Sequence, residues 1–124
     1  MGDLFTDREL DLMAVLWEHG PSTAAEVQER LAVKLAYTTV LTVLRVLEAK
    51  HFVTHTVEGK AHRFHPVVSR RKAAESTIRY VTQKLFRGSP ELLLAHVIDD
   101  GGADPETLQR MRKVLKKRLK AQSI

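Results

Sequence analysis

Apolar residues recur along this chain at helical spacing, broken by turn-forming clusters and by one stretch of alternation. In FTDRELDLMAVLWEHGP, residues 5–21, Thr6 and Glu9 stand at capping-box spacing, and Phe5 and Leu10 at the spacing of a hydrophobic staple. Leu10, Met13, Ala14 and Trp17 make the expected buried stripe, and Gly20 with Pro21 ends the helix. A second box, Thr23 with Glu26, starts a short helix whose Val27 and Leu31 face inward. Lys34, Leu35 and Ala36 lead into a third helix. There Val40, Val43, Leu44 and Leu47 fall at i, i+3, i+4, i+7 and make a core-facing stripe. Three helices with short connections have the spacing of a helix-turn-helix, the third being its recognition helix.

Alternation replaces helical periodicity in FVTHTVEGKAHRFHP, residues 52–66, which predicts a β-hairpin turning around Glu58 and Gly59 and closed by Pro66. A two-residue turn there sets Val53 opposite Phe64 and Val57 opposite Lys60, with His55 facing His62 and Gly59 and Lys60 at the tip. A hairpin after the recognition helix makes a winged helix. Helical periodicity then resumes. Ser69 caps a helix running to about Arg87, with Ala74, Ile78, Val81 and Leu85 on one stripe. Ser89-Pro90-Glu91 and Asp104-Pro105-Glu106 are two further helix starts. The fifth helix holds Leu92, Leu93, Leu94, Val97 and Ile98, and the sixth Leu108, Met111, Leu115 and Leu119. Asp99 and Asp100, before two glycines, read as a loop. The stripe residues Ile78, Val81, Leu85, Leu93, Val97, Leu108, Met111 and Leu115 point to a second chain as their cover, that is, a homodimer, with an intramolecular three-helix bundle as the alternative. The expected fold is mainly α with a small β-hairpin: a winged helix over residues 1–68 and a helical dimerisation region over 69–124.

Charge gives the third helix a partner. Residues 1–30 hold 2 basic and 7 acidic side chains, residues 31–72 hold 8 and 2, and residues 73–124 hold 10 and 6; the differences −5, +6 and +4 sum to the net +5. Positive charge around the third helix suits an anionic ligand, although a basic surface also serves solubility alone. Off the apolar stripe, that helix shows Thr38, Leu41, Thr42 and Arg45, with Tyr37 and Thr39 in its first turn. Threonines sacrifice helix propensity, and hydroxyls beside a guanidinium fit base edges and phosphates of double-stranded DNA. Tyr37, Thr38, Thr39, Thr42 and Arg45 are therefore the expected DNA contacts, joined by Lys60 and Arg63 on the wing and by cations near Arg70 and Arg71. A winged helix that binds protein instead of DNA is the alternative; salt-insensitive binding would distinguish it.

Other chemistry finds little support. The absence of cysteine removes disulfides, thiolate nucleophiles and thiolate metal sites and suits a reducing compartment. His51, His55, His62 and His65 lie close in sequence, but no carboxylate or cysteine at usual spacing completes a metal set, so no metal and no cofactor are expected. No phosphate loop, nucleophile elbow or HExxH appears, and the chain reads as a non-enzyme. Trp17 and Tyr80 read as core residues. No apolar run approaches the ~20 residues of a membrane span, and the acidic N-terminus is unlike a signal peptide, so a cytoplasmic protein is expected.

The runs ELDLMAVLWEHGPSTAAEVQERL, AYTTVLTVL and EGKAHRFHP together resemble the penicillinase repressor family, the BlaI/MecI/CopY type, across nearly the whole chain. The resemblance implies an N-terminal winged helix that reads operator DNA and a helical C-terminal half that makes a homodimer. It also implies, from the β-lactam-responsive relatives, a membrane sensor whose signal leads to proteolysis in the C-terminal half; the aligned bond joins His96 and Val97. Two positions depart from the family pattern. Val46 replaces an arginine, with Arg45 about 100° away around the helix, and His51 replaces a glycine. The C-terminal cysteine pairs of the copper-responsive branch are missing.

Overall fold

Both capping boxes predicted from sequence close at the N-termini of the first two helices. In a computed structural model, which describes residues 4–122, the elements in order are α1 (Asp7–His19), β1 (Ser22–Thr23), α2 (Ala24–Arg30), α3 (Tyr37–Ala49), β2 (Val53–Glu58), β3 (Ala61–Pro66), α4 (Arg70–Leu85), α5 (Pro90–Asp100) and α6 (Pro105–Gln122). Thr6 Oγ1 accepts from Glu9 N while Glu9 accepts from Thr6 N, and Thr23 and Glu26 repeat the arrangement. Each box satisfies two of the backbone donors that a helix start leaves unpaired. The chain divides into two compact units, Met1–Thr77 and Ile78–Ile124, with the boundary inside α4.

In the first unit, Leu12, Met13, Leu16, Val27, Val40, Leu44, Leu47, Val53 and Phe64 form a core at most 2% exposed. The stripe on α1 is therefore Glu9, Leu12, Met13 and Leu16, not Leu10, Met13, Ala14 and Trp17; Leu10 is 42% exposed. Both sets have helical spacing. The choice between them turns on Glu9, a carboxylate that enters the core because Lys50 Nζ meets its two oxygens at 2.8 and 3.0 Å. Burial alone would push the Glu9 carboxyl up, but the hydrogen bonds from Lys50 and from the Thr6 N–H bring it below the usual value. Phe5 lies against Phe52, ring centres 4.2 Å apart, and meets Trp17 edge-on. Trp17 is half-buried, donating from Nε1 to Val68 O at 2.8 Å with the Arg70 guanidinium over its ring. The α3 stripe has the predicted phase, Val40, Leu44 and Leu47 being fully buried; Leu41, assigned from sequence to the outer face, packs against the core.

The hairpin corrects the predicted register. Gly59 and Lys60 form the turn, so Val53 pairs with Pro66, His55 with Phe64 and Val57 with His62. Gly59 takes φ 64° at the first central position, the requirement of a type II′ turn. A third strand, β1, pairs antiparallel with β3 through Ser22↔Phe64 and Thr23↔Arg63, giving sheet order β1-β3-β2. His51, between α3 and β2, holds φ 68°, a left-handed conformation that disfavours a Cβ. His51→Gly is expected to raise stability by about 0.5–1 kcal/mol, a gain limited by glycine's larger unfolded-state entropy and measurable as a higher denaturant midpoint.

The second unit holds the end of α4, with α5 and α6. Ser69, Ser89 and Asp104 cap α4, α5 and α6 as predicted, through Lys72 N, Leu92 N and Thr107 N. Asp99 and Asp100 are the last turn of α5, not a loop, because Gly101 closes that helix by donating to Val97 O. Among the described residues α5 and α6 contain no buried side chain. Leu94, Ile98, Leu108, Met111 and Leu115 line an open apolar trough of about 550 Å³. No helix is long and apolar enough to cross a membrane among the described residues.

Candidate nucleic-acid interface

Recognition chemistry needs side chains that the core does not use, and α3 provides them along one face. Tyr37, Thr38, Thr39, Thr42, Arg45 and Val46 are exposed, whereas the opposite face of the same helix is fully buried. Thr38, Thr39, Thr42 and Val43 line a shallow open depression of about 220 Å³. Helix propensity explains none of these threonines. Thr42 Oγ1 donates to Thr38 O at 2.9 Å, so its hydroxyl proton is held inside the helix. What it offers outward is an acceptor lone pair and a methyl group, which suit a base amino group or a thymine methyl. No side chain caps the start of α3, where Ala36 is the N-cap residue, so its first N–H groups lack a side-chain acceptor. Backbone donors at a helix start are groups that phosphate can accept from.

The wing is tied to this helix by contacts that sequence reading does not reveal. His55 Nδ1 lies 2.6 Å from Glu48 Oε2, linking β2 to the last turn of α3, and the His62 ring stacks on His55 with centres 4.2 Å apart. Those histidines thus meet diagonally, not as the directly opposed pair read from sequence. Thr56 Oγ1 meets His65 Nε2 at 2.9 Å. No group of three or more His, Asp or Glu side chains is placed to hold a metal ion among the described residues.

Arg63 stands where three elements meet. Its Nε and Nη2 donate to both Glu58 oxygens at 2.6 and 2.9 Å, while Nη1 donates to Glu26 Oε1 at 2.9 Å and Pro21 O at 3.1 Å. The Glu58 hydrogen bonds raise the Arg63 pKa above its already high value. Both carboxyls are held below the usual range, Glu58 first by Arg63 and Glu26 first by the Thr23 N–H. No spacing in the sequence could pair residues 26 and 63; the antiparallel β1–β3 pairing does so. Lys60, at the turn, is exposed.

The expected interface residues therefore occupy two places in the first unit. The α3 group lies on one helix face, Lys60 lies at the wing tip, and Arg63 lies at the wing base in a network of carboxylates. In the second unit, Ile78, Leu85, Val97, Leu108 and Leu115 are exposed by 56%, 73%, 41%, 36% and 54%, and Val81, Leu93 and Met111 are half-buried. His96 is exposed on α5, its Nδ1 3.2 Å from Asp100.

Comparison with known proteins gives this arrangement a context. Transcriptional regulator BlaI from two strains of Mycobacterium tuberculosis, CDC 1551 / Oshkosh and ATCC 25618 / H37Rv, is 36% identical over 102 residues, covering 79% of this chain and 74% of the relative. A crystal structure of transcriptional regulator Tm0710 from Thermotoga maritima aligns over 91% of this chain and 77% of that one, with a TM-score of 0.44 and 19% identity. The model of the penicillinase repressor family matches residues 5–117, nearly the whole described chain. With the winged helix and the exposed α3 face, that match places this chain in the penicillinase repressor family of DNA-binding transcriptional regulators.

Proposed function

We propose that the chain represses transcription as a cytoplasmic homodimer on a palindromic operator, each protomer laying α3 in the major groove of one half-site. The observation that carries this reading is the division of α3 into a fully buried apolar face and an exposed face of Tyr37, Thr38, Thr39, Thr42 and Arg45. Lys60 at the wing tip, with Arg70 and Arg71 at the start of α4, supplies phosphate contacts. Arg63 holds the wing against α2; its own contact with phosphate requires exchanging a carboxylate partner for the backbone. Residues 1–68 carry the DNA-binding function and 69–124 the dimer, whose seam uses Ile78, Val81, Leu85, Leu93, Val97, Leu108, Met111 and Leu115. Release follows proteolysis between His96 and Val97 through a membrane sensor pathway. That bond lies in α5, so cleavage needs local opening of the helix.

Thr39→Ala tests the base-reading role on the duplex that the protein itself selects from random DNA. Affinity for that duplex is expected to fall by about 1–3 kcal/mol while affinity for random duplex stays nearly constant. By contrast, Lys60→Ala should weaken both and shrink the log-log salt slope by roughly 0.9. Equal losses on both DNAs for Thr39→Ala would remove it from base readout.

A further inference from the structure

Helix α6 carries Arg110, Arg112, Lys113, Lys116, Lys117, Arg118 and Lys120 against one acidic residue, Glu106, so its +6 exceeds the +5 of the whole chain. At 100° per residue, Arg110, Lys113, Lys116, Lys117 and Lys120 share an arc of roughly 120° on the side away from Leu108, Met111 and Leu115. All five are exposed. Some cations of the first unit are neutralised by carboxylates: Arg8 by Asp11, Lys50 by Glu9, Arg63 by Glu26 and Glu58, and Arg71 by Glu75. In contrast, Lys113, Lys116 and Lys117 make no ion pair among the described residues.

Lys113 and Lys117 stand at i,i+4 and Lys113 and Lys116 at i,i+3, where like charges destabilise a helix. Neither helix end explains them, because the macrodipole favours cations only in the last turn, which contains Lys120. Solubility is served by interspersed charges of both signs, and between Thr107 and Gln122 no acidic residue occurs. The three cations Lys113, Lys116 and Lys117, close together on one helix face and without ion pairs among the described residues, are instead complementary to a row of anions.

We propose that this face of α6 is a second, sequence-independent contact for duplex DNA, binding its backbone phosphates. A lipid surface fits less well. Interfacial helices present Trp or Phe on their apolar side, whereas α6 has no aromatic residue and its apolar side lines the trough with Leu94 and Ile98 of α5. The contact stands whether or not a palindromic operator exists, because random duplex suffices to reveal it.

The test uses the full chain and a random-sequence duplex of about three helical turns, with affinity measured across a salt series. Lys113→Gln/Lys116→Gln/Lys117→Gln is expected to reduce the magnitude of the log-log slope by about 2–3, from ~0.9 per lost phosphate contact. The triple Lys→Arg variant should keep the wild-type slope. Unchanged helical content and sedimentation behaviour separate charge loss from unfolding. If the triple variant loses helix, each single Lys→Gln substitution should lower the slope by up to ~0.9. An unchanged slope in the folded triple variant, or in all three single variants, overturns the proposal. So does loss of binding to phosphatidylglycerol vesicles in a variant whose DNA slope remains that of the wild type.

Discussion

Leu115→Asp is expected to convert the protein into a monomer that keeps its winged helix and loses roughly 10²- to 10⁴-fold in affinity for a full palindrome, the range that linking two binding modules provides. Leu115 is 54% exposed in the single chain and lines the α5–α6 trough, so the carboxylate stays hydrated in the monomer. Only when a second chain covers the trough would the charge become buried without a partner, and that is what excludes the dimer. Val97→Asp on α5, 41% exposed, should act in the same way. Sedimentation and gel-shift titration of the same samples check the expectation. A monomeric variant that still binds the palindrome at wild-type strength would separate operator affinity from dimerisation.

A comparable effect, on stability, is expected from Lys50→Met. The substitution leaves the Glu9 carboxylate, 4% exposed, with the Thr6 N–H but without its cation. The loss should be about 2–4 kcal/mol, below the largest values for breaking buried pairs because the Lys50 side chain is 29% exposed. The pH dependence fixes the sign. In the wild type the folded-state pKa of Glu9 is lowered, so its stabilisation is present above the unfolded value near 4.5 and disappears as pH falls through the lower folded value. In Lys50→Met, burial without the ammonium pushes the Glu9 carboxyl up, so the deficit should be largest near neutral pH and shrink on acidification. Denaturant midpoints from pH 7 to 4 measure this, and Glu9→Gln/Lys50→Met should recover most of the loss because the amide oxygen can still accept from Thr6 N. A deficit independent of pH would assign the effect to lost packing of the lysine stem.

Local signals in the sequence were reliable where a short-range physical rule determines the outcome. Thr6 and Thr23 close their boxes with residues three positions on, and Val40, Leu44 and Leu47 keep their face because nothing polar competes for it. Errors arose where long-range partners decide. The α1 stripe is set by Lys50, 41 positions from Glu9, whose ammonium lets that carboxylate enter the core. The two residues of β1 are too short to show alternation, and they exist as a strand because β3 lies beside them. The hairpin slipped because the sequence allows Gly59 at either central turn position, and backbone geometry puts it at the first. At the candidate interface, the threonine face of α3 was legible as a departure from helix propensity. The Glu48–His55 contact and the position of Arg63 between Glu26 and Glu58 were not, since each depends on strand pairing or helix placement absent from local pattern.

In the proposed function the exposed face of α3 reads base pairs in two symmetry-related half-sites. Selecting bound sequences from random duplex DNA with the purified full chain tests it most directly. The predicted result is an enriched inverted repeat whose half-site centres are separated by one helical turn, about 34 Å, or a small multiple of it, with enrichment lost in Thr39→Ala at the base pairs this residue contacts. Recovery of duplexes with no shared sequence, or of a motif that Thr39→Ala enriches unchanged, would contradict it.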